Sequence, residues 1–290
     1  MNNVVKSMLA KYDCHSLSDY EHALKEIIQE IALLGLWRAK FFELGAFYGG
    51  TALRILYGLD RFSEDIDFSL LKPDSSFDIS AYEASLSREL AAFGFETSVE
   101  KKKKSQQSSI ESAFIKANTL VHLIKIEAPV KAHKAQLIKI KIEVDTDPPP
   151  GASTEAVAVF NPIPFTVKTF DLPSLFAGKL AATLYRPYKF NTKGRDWYDF
   201  LWYISRGVKL NILHFQARIV QIGKWPMTKE ITIPDIKNLM RERIEGLNLD
   251  DAKSDVSPFV KDQFAVQQWN KELLHSAVDR ILAISGFRNS

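Results

Sequence analysis

Cysteine is almost missing from this chain. Cys14 is the only one in 290 residues, which excludes an internal disulfide and a cysteine-rich zinc site. The six histidines (His15, His22, His122, His133, His214, His275) show no pairing at metal-ligand spacing. No apolar run approaches the ~20 residues that span a bilayer, and the opening MNNVVKSMLAKYDCHS lacks the apolar stretch of a secretory signal. A cytoplasmic protein with no membrane partner is expected. Net charge is scarce too: 38 Lys and Arg against 35 Asp and Glu give a formal +3, too little to mark a nucleic-acid binder by itself. The basic residues are unevenly spread, with a run from Lys101 to Lys104 and a dense segment from Lys179 to Arg195. With 46% hydrophobic and 25% charged residues, the composition is that of one or two globular domains.

The most informative stretch is FYGGTALRILYGLDRFSEDIDFSL, Phe47 to Leu70. It reads as a strand ending in Gly49-Gly50, a helix from about Thr51 to Tyr57, a loop carrying Arg61 and Ser63, and a strand from about Asp65 to Leu70. Side chains alternate along a strand, so Asp65 and Asp67 project the same way, about 7 Å apart. Two carboxylates on one rigid face suit Mg²⁺. The glycines let a triphosphate approach the backbone, and the helix beginning at Thr51 offers it free N–H groups and a positive dipole end. Ser63 is expected at the rim of this site, where phosphorylation would repel a triphosphate or capture Arg61.

Around this stretch, Ser18 to Glu21 and Ser80 to Glu83 have the spacing of capping boxes, opening helices whose apolar stripes are Leu24 to Leu34 and Tyr82 to Phe93. Phe95 to Ala128 suggests a hairpin or β-extension. LIKIKIEVD, 137–145, alternates as a half-buried strand whose polar face carries Lys139, Lys141, Glu143 and Asp145. Two divalent ions about 4 Å apart on a triphosphate would call for a third carboxylate; Glu143 and Asp145 are the candidates. After Thr146-Asp-Pro-Pro-Pro-Gly151 the chain turns helical, with segments expected near 172–185, 195–205, 210–223, 234–245 and 257–285, the last broken. The fold class is α+β: an α/β catalytic domain over 1–160 and a helical domain over 161–290, expected to close over the nucleotide.

That helical part holds Lys179, Arg186, Lys189, Lys193 and the run Gly194-Arg195-Asp196-Trp197-Tyr198-Asp199. Lys179 and Arg186 lie two helical turns apart on one face. Together with Arg195 they can grip a triphosphate and offset charge developing on it. Asp199 reads more readily as part of an ion network orienting two helices. The aromatic cluster Trp197, Tyr198, Phe200, Trp202 and Tyr203 reads as core, with stacking on a base as the alternative.

Gly-Gly, a helix and D-x-D about a dozen residues on resemble the polymerase β type of nucleotidyltransferase, and GGTALR…RFSEDIDF with the KGRDxxD run resembles the AbiEii/AbiGii toxins. The resemblance implies an NTP-consuming, two-Mg²⁺ enzyme, the toxin of an abortive-infection pair with a cognate antitoxin and an RNA acceptor such as the 3′ end of tRNA. Its strand wording, K-I-E-V, favours Glu143 as the third acid, and its second signature makes Lys179 and Asp196 the required pair. Nucleotidyl or phosphoryl transfer to a protein or small molecule, and a nucleotide-binding module without catalysis, are the alternatives.

Overall fold

The computed structural model describes residues 2–95, 97–101, 110–117, 138–187 and 192–284. Lys102 to Lys104, Lys189, His122 and His133 lie outside them, as do 105–109 and 118–128 of the region 95–128 expected to form a hairpin or β-extension. The chain divides into two compact units: one comprises 1–58, 62–148 and 155–169, the other 59–61, 149–154 and 170–290.

The first unit is built around one long helix and one sheet. After α1 (Asn3–Leu9), α2 spans Leu17–Arg38. Its capping box is Ser16 with Asp19, two residues upstream of the expected Ser18 and Glu21. The Ser16 hydroxyl accepts from the Asp19 amide while the Asp19 carboxylate accepts from the Ser16 amide, satisfying two first-turn donors at once. From Ile27 to Leu36 every α2 residue is buried, including Gln29 and Glu30. The second expected box is likewise replaced: Asp78 accepts from the Ser80 amide, and α4 runs Glu83–Ala92 after a 3₁₀ turn.

Among the described residues seven strands form one sheet in the order β3-β4-β5-β2-β1-β7-β6. They are β1 (Gly45–Tyr48), β2 (Ile66–Leu70), β3 (Thr97–Lys101), β4 (Ile110–Ala117), β5 (Ile138–Asp145), β6 (Thr154–Val159) and β7 (Phe165–Phe170). β3 and β4 form the expected antiparallel hairpin, while β1–β7 and β2–β5 are parallel, so the sheet is mixed. The alternation of β5 works as read: Ile138, Ile140, Ile142 and Val144 join Phe47, Phe68, Val167 and the α2 leucines and isoleucines in one core. The opposite face is left for Tyr48, Asp67 and Glu143. β6 and β7 lie in a stretch that reads as the passage to the helical region, and β7 carries the first unit past residue 160 to Thr169. Proline at 162 and 164 flanks β7 without entering it, which is why the segment reads as a linker.

The second unit is helical: α5 (Leu172–Tyr185), α6 (Gly194–Ser205), α7 (Ile212–Gln221), α8 (Ile233–Glu245), α9 (Leu249–Val256), α10 (Gln263–Gln267) and α11 (Lys271–Asp279). Asp171 caps α5 through the Ser174 amide, with Pro173 in the first turn. Between 257 and 285 the segment is broken into short helices as expected, and α9 lies outside every segment that the pattern marks as helical. Trp197, Phe200 and Tyr203 are core: all are at most 1% exposed, and Tyr203 stacks on Phe176 at 4.7 Å. Among the described residues no helix is long and apolar enough to cross a membrane.

Candidate active site

Strand β1 delivers the chain to Gly49, where α3 (Gly49–Tyr57) begins. Gly49 has φ +83°, a region that costs most side chains about 1–2 kcal/mol. A Cβ there would also collide with Asp67 Oδ2 and come within 3.1 Å of Asp67 Cβ. Backbone and carboxylate are therefore in contact, and glycine is required on two counts. The Tyr48 side chain makes no cap to the first turn of α3, and no acidic residue lies in that turn.

Register then selects among the acids. Asp67 pairs with Tyr48 on one side and with Glu143 on the other, so Asp67 and Glu143 are direct neighbours on adjacent parallel strands and share a face. Such neighbours have backbones about 4.8 Å apart. Asp145 pairs with Ser69 one step further from Gly49, and its carboxylate accepts from the Asp147 amide in the turn that ends β5. Asp65 precedes β2, which begins at Ile66 rather than at Asp65 as expected. Asp65, Asp67 and Glu143 are all partly exposed.

Two residues that the sequence marked only as part of a pattern enter here. Lys141, two positions before Glu143 on the same face, forms an ion pair with Glu143 Oε1. Gln29, buried in α2, donates to the carbonyls of Ser63 and Glu64 at 3.0 Å each. Thr51 Oγ1 donates to the Asp65 carbonyl, so this hydroxyl serves the loop. The signal for Gln29 was a polar residue inside the apolar run 27–36.

Among the described residues no group of three or more His, Cys, Asp or Glu converges on a single point in the manner of a closed metal cage. The donors nevertheless suit Mg²⁺ in kind, since it prefers hard oxygens and is usually held by one or two carboxylates plus substrate phosphates. Asp67 and Glu143, neighbours in register on one face, meet that description.

The second unit holds a separate buried ion network. Arg61 grips Asp199 bidentately, Nε to Oδ1 and Nη2 to Oδ2, each at 2.6 Å. Lys179 Nζ reaches Asp196 and Asp199 at 2.8 Å each, and Arg186 reaches Asp196 at 3.0 Å. Burial alone would lower the Lys179 pKa, but the two carboxylates overcome it and hold the ammonium above its ordinary value. For Asp199 burial pushes upward, and Arg61 and Lys179 win, holding it below the usual carboxylate range. Arg61 is 3% exposed, a geometry that commits its guanidinium to Asp199. The Arg186 side chain is 49% exposed. Arg195 is engaged elsewhere: its amide donates to Asp255, its guanidinium lies 3.6 Å from that carboxylate and over the Phe259 ring. Gly194 lets α6 start against α9, because a Cβ would run into the Ala252 carbonyl.

No curated protein matches the chain. Solved structures similar to it include a candidate nucleotidyltransferase from H. pylori, at 17% identity and TM-score 0.46 over 87% of this chain and 88% of that one, and JHP933 from Helicobacter pylori, at 16% and 0.48 over 89% and 88%. A family model described as "Nucleotidyl transferase AbiEii toxin, Type IV TA system" matches residues 31–283, and the chain belongs to that family.

Proposed function

We propose that this protein is a Mg²⁺-dependent nucleotidyltransferase, the toxin of a two-gene pair, moving a nucleotidyl group from an NTP to an RNA hydroxyl. The observation that carries the reading is the juxtaposition at the end of β1: Gly49 with its backbone against Asp67, and Glu143 beside Asp67 in register. The metal ions would be held by Asp65, Asp67 and Glu143 and would supply activation of the attacking hydroxyl and neutralisation of the leaving pyrophosphate. Gly49 and Gly50 keep the backbone open to phosphate, and the first-turn amides of α3 face it with donors. Family membership supports the toxin assignment and a genetic partner that opposes it.

Lys179 and Arg186 are assigned to phosphate binding in the second unit, with Asp196 as the carboxylate that holds both. Three cations, Arg61, Lys179 and Arg186, stand against Asp196 and Asp199, so the network keeps a net positive charge with Arg186 at its exposed end. Arg61 serves this network by fixing Asp199.

The test is incubation of the purified protein with each labelled NTP, Mg²⁺ and total RNA, followed by separation of RNA from protein and small molecules. Label in RNA, lost in Asp67→Asn, supports the proposal. Label confined to protein or to a small molecule would move the acceptor to another class, and no transfer from a folded, metal-supplied protein would overturn the enzyme reading.

A further inference from the structure

Asp65 poses a problem of aim. The ladder that fixes Asp67 begins only at Ile66, so Asp65 lies outside the backbone bonding that orients the other acid. Instead, three successive carbonyls at this point are held by side chains from two helices. Gln29 Nε2 of α2 bonds the carbonyls of Ser63 and Glu64 at 3.0 Å each, and Thr51 Oγ1 of α3 bonds that of Asp65. Lys25, one turn before Gln29, adds an ion pair to Glu64 at 3.2 Å. Carbonyls only accept, so the Gln29 amide must present its NH₂ to them.

Gln29 is an expensive choice for such a place. It is 1% exposed between Ile28 and the buried Glu30, in a stretch otherwise apolar to Leu36. Its Oε1 is buried with no hydrogen-bond partner among the described residues, and an unsatisfied buried acceptor costs stability. A residue serving the helix core alone would be Leu or Met. We infer that Gln29, with Thr51, is a positioning residue for Asp65: the two side chains set the backbone from which the Asp65 carboxylate meets a divalent cation. This rests on the proposed metal role of Asp65. Groups that orient metal ligands from outside typically change affinity about 10–100-fold when removed.

The test uses the full chain and Mn²⁺ as a spin probe for the divalent site, with binding read by electron paramagnetic resonance and folding by thermal melting. Gln29→Met should weaken Mn²⁺ binding about tenfold while the melting temperature changes little. Thr51→Val should weaken it similarly and Thr51→Ser should restore it. The decisive comparison is in an Asp65→Asn background, where Gln29→Met should add no further loss, because its effect passes through Asp65. Wild-type Mn²⁺ affinity in a folded Gln29→Met protein, or a full tenfold further loss in the Asp65→Asn background, would overturn the inference. Should Gln29→Met not fold, equal binding by Thr51→Val and Thr51→Ser would overturn it as well. Failure of the metal reading looks different: wild-type Mn²⁺ binding would then be unchanged by an Asp65→Asn, Asp67→Asn double substitution.

Discussion

Asp67 and Glu143 are paired residues in the parallel ladder between β2 and β5, whereas Asp145 pairs with Ser69. The sequence left both later acids on one strand face, and register separates them. Glu143→Gln is therefore expected to cut nucleotidyl transfer by about a hundredfold or more, beyond what outer-sphere changes cost. Asp145→Asn should change it by less than about threefold, since its side chain is engaged in the Asp147 turn. Steady-state rates of both variants at saturating Mg²⁺ check this, and the reverse order would move the third acid to Asp145.

Lys141 shares that face and already pairs with Glu143. A metal ion at Glu143 must compete with this ammonium, so Lys141→Gln should lower the Mg²⁺ concentration needed for half-maximal binding by several-fold. Calorimetric titration with Mg²⁺ measures it directly. Weaker binding in the variant would show instead that Lys141 supports the site.

Gly49 carries two constraints that one methyl group violates. Gly49→Ala should destabilise the protein by about 1–2 kcal/mol from the left-handed φ alone. It should also displace the Asp67 carboxylate, so activity should fall by far more than the unfolded fraction accounts for. Gly58→Ala is the control: φ there is +74°, and among the described residues no atom beyond its chain neighbours and local helix backbone lies within 4 Å of the added carbon. Equal activity losses in the two variants would remove the contact with Asp67 from the argument.

The ion network of the second unit separates stability from chemistry by exposure. Asp199 is fully buried between Arg61 and Lys179, and removing one partner from such a pair costs about 3–5 kcal/mol. Asp199→Asn should therefore lower the unfolding free energy by about that amount, read by urea denaturation. Lys179→Ala should do the same, because two carboxylates lose their shared ammonium. Arg186 is half exposed, so Arg186→Gln should leave stability within about 1 kcal/mol while weakening NTP binding. Unaltered NTP affinity in Arg186→Gln would remove this end of the network from phosphate binding.

What the sequence disclosed was whatever depends on local pattern. The Gly-Gly, helix and D-x-D succession places α3 and β2 within two residues of their true bounds, and the alternation of 138–145 identifies β5 and its faces. Asp171 with Pro173 announces α5 correctly. What it could not disclose depends on partners distant in the chain. Arg61 lies 138 residues from Asp199, and nothing near Arg61 signals that its guanidinium is committed there. Ser16 rather than Ser18 caps α2 because both have an acidic residue three positions on, and local spacing cannot choose. β7 escaped notice because prolines flank it, although its own alternation of Phe165, Val167 and Thr169 is regular.

Glu30 and His214 are expected to push their units in opposite directions on acidification. Glu30 in α2 is 7% exposed, and burial above all pushes its pKa up to about 7; Asn161 donates to it, Lys11 and Arg54 pull downward, and Glu26 pushes upward. A folded pKa raised above the unfolded value means stability fully present below about 4.5 and lost as pH rises through 7. His214 is fully buried, and burial lowers its pKa to about 4, assisted by Arg218 and opposed by the bond from Nδ1 to the Pro150 carbonyl at 3.0 Å. Here the unfolded chain binds the proton more readily, so stability is present above about 6.5 and lost as pH falls through 4. The His214 shift corresponds to about 3 kcal/mol across that window. Urea unfolding of each unit, followed by hydrogen exchange at pH 4.5, 6 and 7.5, should show the second unit weakening on acidification while the first gains. Glu30→Gln should flatten the response of the first unit and stabilise it at pH 7.5, and His214→Leu should flatten that of the second. Parallel acid responses that neither substitution alters would mean that other groups set the pH dependence.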